Sequence, residues 1–259
     1  MPESSAGLGP LVYRNFCEMW RVVSAHADGN TAFEVRQRPD LLLIKSSLTP
    51  RVPHMVLDPR MAPGNERAWT AALVEEWAGN TVSLMVMIPP GTERGELARA
   101  LGRWGFARAT RPSIAMARFS GSTREHREDA DIELATGEDD LAEARRLLAT
   151  IFDLPEHVFA YYTPQPLVRT YMLRERGIGV AAACLCPFAG AAGVYSVGVL
   201  PAVRGKGYAQ RLVLQLLSDA ADLGLNTAVL SCERHYVPLY RRLGFSVCCE
   251  LMTYWMEAL

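Results

Sequence analysis

Apolar residues recur along this chain in two periods, and each change of period marks the end of an element. The clearest case lies in residues 194–224. Tyr195, Val197 and Val199 alternate with Ser196 and Gly198, the pattern of a strand, and Pro201 stops it. A tight loop follows, Arg204-Gly205-Lys206-Gly207-Tyr208-Ala209. From Ala209 the apolar positions change to helical spacing through Leu212, Val213, Leu216, Leu217, Ala220 and Leu223, and Gly224 ends the helix.

The same reading predicts the remaining elements in order. Residues 1–10, with Pro2, Gly7, Gly9 and Pro10, read as a flexible N-terminal tail. Residues 11–27 form a helix with Phe16, Met19, Trp20 and Val23 on one side. Strands are expected at 31–35 and 41–45, a proline-rich loop at 49–63, a helix at 66–77 and a strand at 81–88. A helix at 93–103 ends in Trp104-Gly105-Phe106, and a strand covers 113–119. Residues 120–129 then carry no aliphatic side chain, which makes them the natural linker between domains at 11–119 and 130–259. Beyond it come a strand at 131–135, helices at 139–152 and 155–162, and strands at 169–174 and 180–186. The strand–loop–helix of 194–224 follows. A strand at 226–232, a helix through Tyr236, Leu239, Tyr240 and Leu243, and a closing strand at 247–256 complete the chain. The class is α/β, with a mixed sheet.

Composition narrows the function without naming it. The chain has 259 residues, 49% of them apolar, enough for two cored domains. A net charge of −1 offers no electrostatic case for nucleic acid or an anionic membrane. The N-terminus lacks the basic and apolar regions of a signal peptide. Residues 178–200 carry no charge, but Gly179, Pro187, Gly190, Gly193 and Gly198 interrupt them, so a buried hairpin fits better than a membrane span. The six cysteines form no C-x-x-C pair and no histidine stands at zinc spacing from them. They read as buried thiols of a reducing, cytoplasmic compartment, with no metal.

The loop after residue 200 carries chemistry. A strand, a glycine-rich turn and a helix start together favour an anion, because first-turn N–H groups lack intrahelical partners and the helix dipole is positive there. A Walker loop is excluded because Gly207 follows Lys206 where Ser or Thr is required. A dinucleotide fingerprint is excluded because Gln210 stands where its third small residue belongs. Arg204, Gly207 and Ala209 do fill [RQ]-x-x-G-x-[GA]. This resembles the acetyl-CoA pyrophosphate loop of the GCN5-related N-acetyltransferases, the GNAT superfamily. Leu239-Tyr240-Arg241-Arg242-Leu243-Gly244-Phe245 resembles that family's second motif, and the order of elements over residues 130–259 is that of its core.

The resemblance implies acetyl-CoA as co-substrate. Val197, Gly198 and Val199 would pair with pantetheine, an N–H near Val199 would face the thioester oxygen, and Arg204, Gly205, Lys206, Gly207, Tyr208 and Ala209 would hold the pyrophosphate. Tyr240 would protonate the departing thiolate; a buried helix aromatic is the plainer reading of it. Glu233 stands where many relatives have Asn. It serves either as a base acting through water or a site for a cationic acceptor, or as a solvated acid at a helix start. A covalent route through Cys232 with His235 as base is the less favoured mechanism.

Leu101 to Phe106 faintly echoes Tyr240 to Phe245, which suggests a second, degenerate GNAT-like half in tandem. Leu101 there replaces Tyr240, and residues 57–80 hold no G-x-G, so the first half is expected to wall the acceptor site without chemistry. The function implied is direct N-acetyl transfer to a small primary amine. The alternatives are a protein or peptide N-acetyltransferase and a non-catalytic acyl-CoA-binding regulator. A homodimer is left open.

Overall fold

The computed structural model describes residues 5–25, 33–47, 53–92, 95–119, 129–159 and 167–257. Most of the expected linker lies outside these residues, as do residues 1–4, 26–27, 31–32, 49–52, 93–94 and 160–162 of other expected elements.

The first half runs α1 (Gly9–Ala25), β1 (Phe33–Gln37), β2 (Leu42–Ser46), β3 (His54–Leu57), α2 (Glu66–Trp77), β4 (Leu84–Met87), α3 (Glu96–Arg103), β5 (Ala107–Arg108) and β6 (Ser113–Phe119). The second runs β7 (Ile132–Leu134), α4 (Glu138–Phe152), a 3₁₀ turn (Glu156–Phe159), β8 (Arg169–Glu175), β9 (Ile178–Phe188), β10 (Ala191–Val199) and α5 (Tyr208–Asp222). It ends with β11 (Thr227–Cys232), α6 (Val237–Arg242), β12 (Ser246–Leu251) and β13 (Thr253–Met256). The uncharged stretch at 178–200 is the antiparallel β9–β10 hairpin, as its glycines and proline indicated. No described helix is long and apolar enough to cross a membrane.

The strands make two sheets, ordered β1-β2-β3-β4-β13-β5 and β12-β6-β11-β10-β9-β8-β7. Each half lends one strand to the other. β6 lies between β11 and β12, with Ile114 opposite Cys232 and Met116 opposite Leu230. β13 lies between β4 and β5, with Tyr254 opposite Val86 and Arg108. The segments before and after residues 120–129 are therefore interleaved in space.

Helix α1 lies between the sheets. Val12, Tyr13, Cys17, Met19, Trp20 and Val23 join a core with Leu42, Leu57 and Met85 of one sheet, Ala115, Ala182, Cys186 and Val229 of the other, and Leu148 of α4. Helices α5 and α6 cover the far face of the larger sheet, and α2 and α3 cover that of the smaller. Two sheets thus press on α1, which is why it is buried around more of its circumference than an amphipathic surface helix. Asn15, fully buried, donates from Nδ2 to the carbonyls of Phe188 at 2.7 Å and Ala191 at 3.0 Å. Its Oδ1 accepts the Tyr195 hydroxyl at 2.7 Å. On the opposite side the Tyr13 hydroxyl donates to the Met87 carbonyl at 3.1 Å and accepts the Asp58 N–H at 2.7 Å.

Three expectations change. Residues 5–8 are a 3₁₀ helix leading into α1, and Gly9 is packed so closely that a Cβ there would stand 2.7 Å from Cys249 Sγ, so residues 5–10 are helical rather than tail. The proline-rich stretch at 49–63 contains β3, because Pro53 and Pro59 flank rather than interrupt its apolar run. The single closing strand is two, broken at Met252, because its halves pair in different sheets.

Candidate active site

β10 and β11 are parallel neighbours for two pairs only, Ala192 with Ala228 and Gly193 with Val229. Beyond them β10 bulges between Tyr195 and Gly198, with Ser196 at φ 50°, and parts from β11. The local sequence explains the bend. Tyr195 is drawn inward by Asn15, and Gly198 lets α4 approach, since a Cβ there would lie 2.8 Å from Ile151 Cγ2. The other edge of β10 remains zipped to β9 through Val199 opposite Ala181, and the Leu200 N–H donates to the Val180 carbonyl at 2.9 Å. Alternation along the strand then turns the amide of Val199 toward the gap.

The loop closes one end of that gap. Gly205 (φ 86°) and Gly207 (φ 81°) adopt left-handed backbone that residues with a Cβ enter at a cost, and Gly207 caps α5. The first helical bond is Arg211 N–H to the Gly207 carbonyl at 3.1 Å. The N–H groups from Gly205 to Gln210 donate to no loop carbonyl or side chain among the described residues, so they are open to an anion. Arg204 folds back to donate from Nε to the Val199 carbonyl at 3.1 Å, bracing loop against strand.

These parts surround one cleft of about 670 Å³. It gathers Val197, Gly198, Val199, Arg204, Gly205, Gly207, Tyr208 and Ala209 with Glu233 and Tyr240. Lys206 alone of the expected residues is not in its wall; its ammonium is 2.9 Å from Glu175 of β8. The structure adds Ile151 and Phe152 of α4, Tyr236, Leu239 and Arg242. Phe152 carried a signal in the sequence as an apolar residue at a helix end, but only its 42% exposure separates it from a core residue.

Tyr240 is 8% exposed, and burial raises its phenol above the ordinary value, with Cys232 and Tyr236 adding to the effect. The hydroxyl therefore holds its proton across the neutral range. Burial pushes the Cys232 thiol up to about 11, helped by the Glu233 charge, and its Sγ packs 3.8 Å from Met116 Sδ. A protonated, buried thiol is a poor nucleophile. Glu233 is 66% exposed at its side chain and sits 3.5 Å from His235 Nδ1. It also borders a second cleft of about 670 Å³, walled by residues 108–112, Arg234, His235 and Glu250.

The first half repeats part of this scaffold. The Phe106 N–H donates to the Leu101 carbonyl at 3.1 Å and the Phe245 N–H to the Tyr240 carbonyl at 3.0 Å, with Gly105 (φ 87°) and Gly244 (φ 83°) in left-handed turns. The two helix ends are the same motif, and Leu101 occupies the place of Tyr240, fully buried. β3 and β4 stay paired from His54 opposite Leu84 to Val56 opposite Val86, so no splay opens. The cap of α2 is Asn65 at φ −95°, and Glu66 begins the helix, which repels an anion there.

Residues 137–245 match the model of the Acetyltransferase (GNAT) family. No curated protein matches the sequence significantly. Among solved structures, a tandem GNAT protein from the clavulanic acid biosynthesis pathway is similar with TM-score 0.63 at 14% identity, over 100% of this chain and 96% of its own. A GCN5-related N-acetyltransferase from Kribbella flavida superposes with TM-score 0.62 at 18% identity, over 91% and 93% of the two chains. One from Sphaerobacter thermophilus does so with TM-score 0.61 at 17% identity, over 98% and 93%. The tandem organisation thus extends along the whole chain, while the family's sequence signature lies in the second half.

Proposed function

We propose, from the premise that residues 137–245 form a domain of the acetyltransferase (GNAT) family, that this protein moves an acetyl group from acetyl-CoA directly to the amine of a small acceptor. The observation that carries the reading is the single cleft joining splayed strand, open loop amides and Tyr240. Pantetheine would add as a strand along Val197 to Val199, and the pyrophosphate would meet the N–H groups from Gly205 to Ala209. The Val199 amide would stabilise the oxyanion formed when the amine attacks the thioester carbon. As the C–S bond breaks, the Tyr240 hydroxyl passes its proton to the leaving sulfur. Glu233 lines both clefts, which supports a role in taking the ammonium proton through water or in holding the ammonium before attack.

The test is calorimetric titration with acetyl-CoA, followed by detection of free CoA thiol and a 42-Da acceptor mass gain (roughly one acetyl replacing one proton) across a panel of amines. Micromolar donor binding with amine-dependent thiol release is expected. Tight donor binding without turnover of any amine would support the regulator instead.

A further inference from the structure

The second cleft has a charge pattern of its own. Its wall holds Arg108, Arg111 and Arg234 against Glu233 and Glu250, three guanidinium groups to two carboxylates. Arg234 is already paired with Glu250, and Glu233 with His235. Among the described residues the Arg108 guanidinium donates only to Met252 Sδ, at 3.3 Å, the Arg111 side chain has no hydrogen bond or ion pair, and neither meets a carboxylate. Elsewhere, Arg38, Arg174 and Arg211 each engage two.

The backbone beneath these arginines is held firmly. The Ala109 N–H donates to the Thr253 carbonyl at 2.9 Å, and Arg108 pairs opposite Tyr254. β6 then begins at Ser113, with Ile114 opposite Cys232, one residue before Glu233. The strand exchange thus brings first-half arginines into one wall with Glu233, which also lines the first cleft.

We infer that the acceptor is an amine carrying an oxyanion, a carboxylate or a phosphate, gripped by Arg108 and Arg111 while its amino group points to Glu233. This rests on the transferase reading and adds the acceptor's chemical class. Guanidinium groups fit planar or tetrahedral oxyanions with paired hydrogen bonds. Glu233 attracts the ammonium and repels the anion, so a zwitterion enters in one orientation, its nitrogen beside the donor cleft. A lysine-rich peptide or a polyamine meets surplus positive charge in this wall and is disfavoured.

The test uses the full chain, acetyl-CoA and matched pairs: amino acids against their carboxamides, and O-phosphoethanolamine against ethanolamine. The expected result is a kcat/KM at least about tenfold higher for the anionic member of one pair, the loss expected of a charge-assisted contact. In the Arg108→Gln/Arg111→Gln double variant that preference collapses, Arg108→Lys/Arg111→Lys restores part of it, and the Kd for acetyl-CoA stays within twofold. The pair that discriminates tells carboxylate from phosphate. Equal rates within every pair, a preference surviving in the double variant, or turnover confined to polyamines and peptides would overturn the inference. So would weaker donor binding in the double variant, or acetyl-CoA binding with no panel member acetylated. Failure of the wild-type chain to bind acetyl-CoA would instead overturn the transferase reading.

Discussion

Burial sets the chemistry of Tyr240, in the cleft wall, and of Cys232, one residue before Glu233. Tyr240 keeps its proton because its anion would lose hydration in an apolar wall. Replacing it with Phe should lower kcat roughly 100-fold with little change in the KM for acetyl-CoA, the size expected of a general acid. The sign of the pH effect follows. An acid must be protonated to act, and its folded pKa is raised above the ordinary value of 10.0, so kcat should show no alkaline fall from this group below pH 10. A wild-type fall near pH 8–9 that disappears in Tyr240→Phe would contradict this assignment. Cys232, with its thiol pushed up to about 11, is thiolate in fewer than roughly one molecule in a thousand at neutral pH. Cys232→Ala should therefore retain at least about half of kcat, and no acetylated intermediate should appear in the mass of the intact protein.

At the scale of elements, α5 and α1 position the cleft in different ways. The loop before α5 depends on a backbone that only glycine adopts cheaply. Gly207→Val should cost about 1–2 kcal/mol of strain. It should also weaken acetyl-CoA binding at least about tenfold by calorimetry, because the cap's left-handed turn aims the first amides. Helix α1 acts at a distance. Asn15 holds the β9–β10 turn and the Tyr195 hydroxyl at once, on the segment where β10 leaves β11. Asn15→Leu strands these groups in the core at roughly 2–4 kcal/mol. A thermal scan should show Tm lower by about 5–15 °C, and an unchanged Tm would show the clamp to be unimportant.

For the molecule as a whole, the exchanged strands make one folding unit of two repeated halves. Removing residues 252–259 takes β13 from the middle of the smaller sheet, exposing β4 and β5 edges. We expect the truncated chain to be insoluble or unfolded by circular dichroism, although every residue lining the donor cleft is still present. The intact chain should unfold in a single calorimetric transition, since neither sheet is complete without the other half. Two separated transitions would mean that the halves are energetically independent.

Much of this was readable beforehand, and the reason is locality. The loop from Arg204 to Ala209, the helix after it and the Gly244-Phe245 end are set by spacing and by glycine within a few residues. So is the absence of a matching G-x-G loop before α2. What the sequence alone could not decide depends on partners far along the chain. Tyr195 reads as one residue of an alternating strand, and only Asn15 of α1 shows why β10 bends there. The strand at 247–256 reads as continuous, and only its pairing with β6 and then with β4 divides it at Met252. Lys206 reads as a phosphate ligand from its place in the loop, and only the fold shows Glu175 of β8 2.9 Å from its ammonium. Local conformational preference wrote the loop and helix of the first cleft into a short run of sequence; the second cleft brings residues 108–112 together with Glu233, Arg234, His235 and Glu250, which share no local signal.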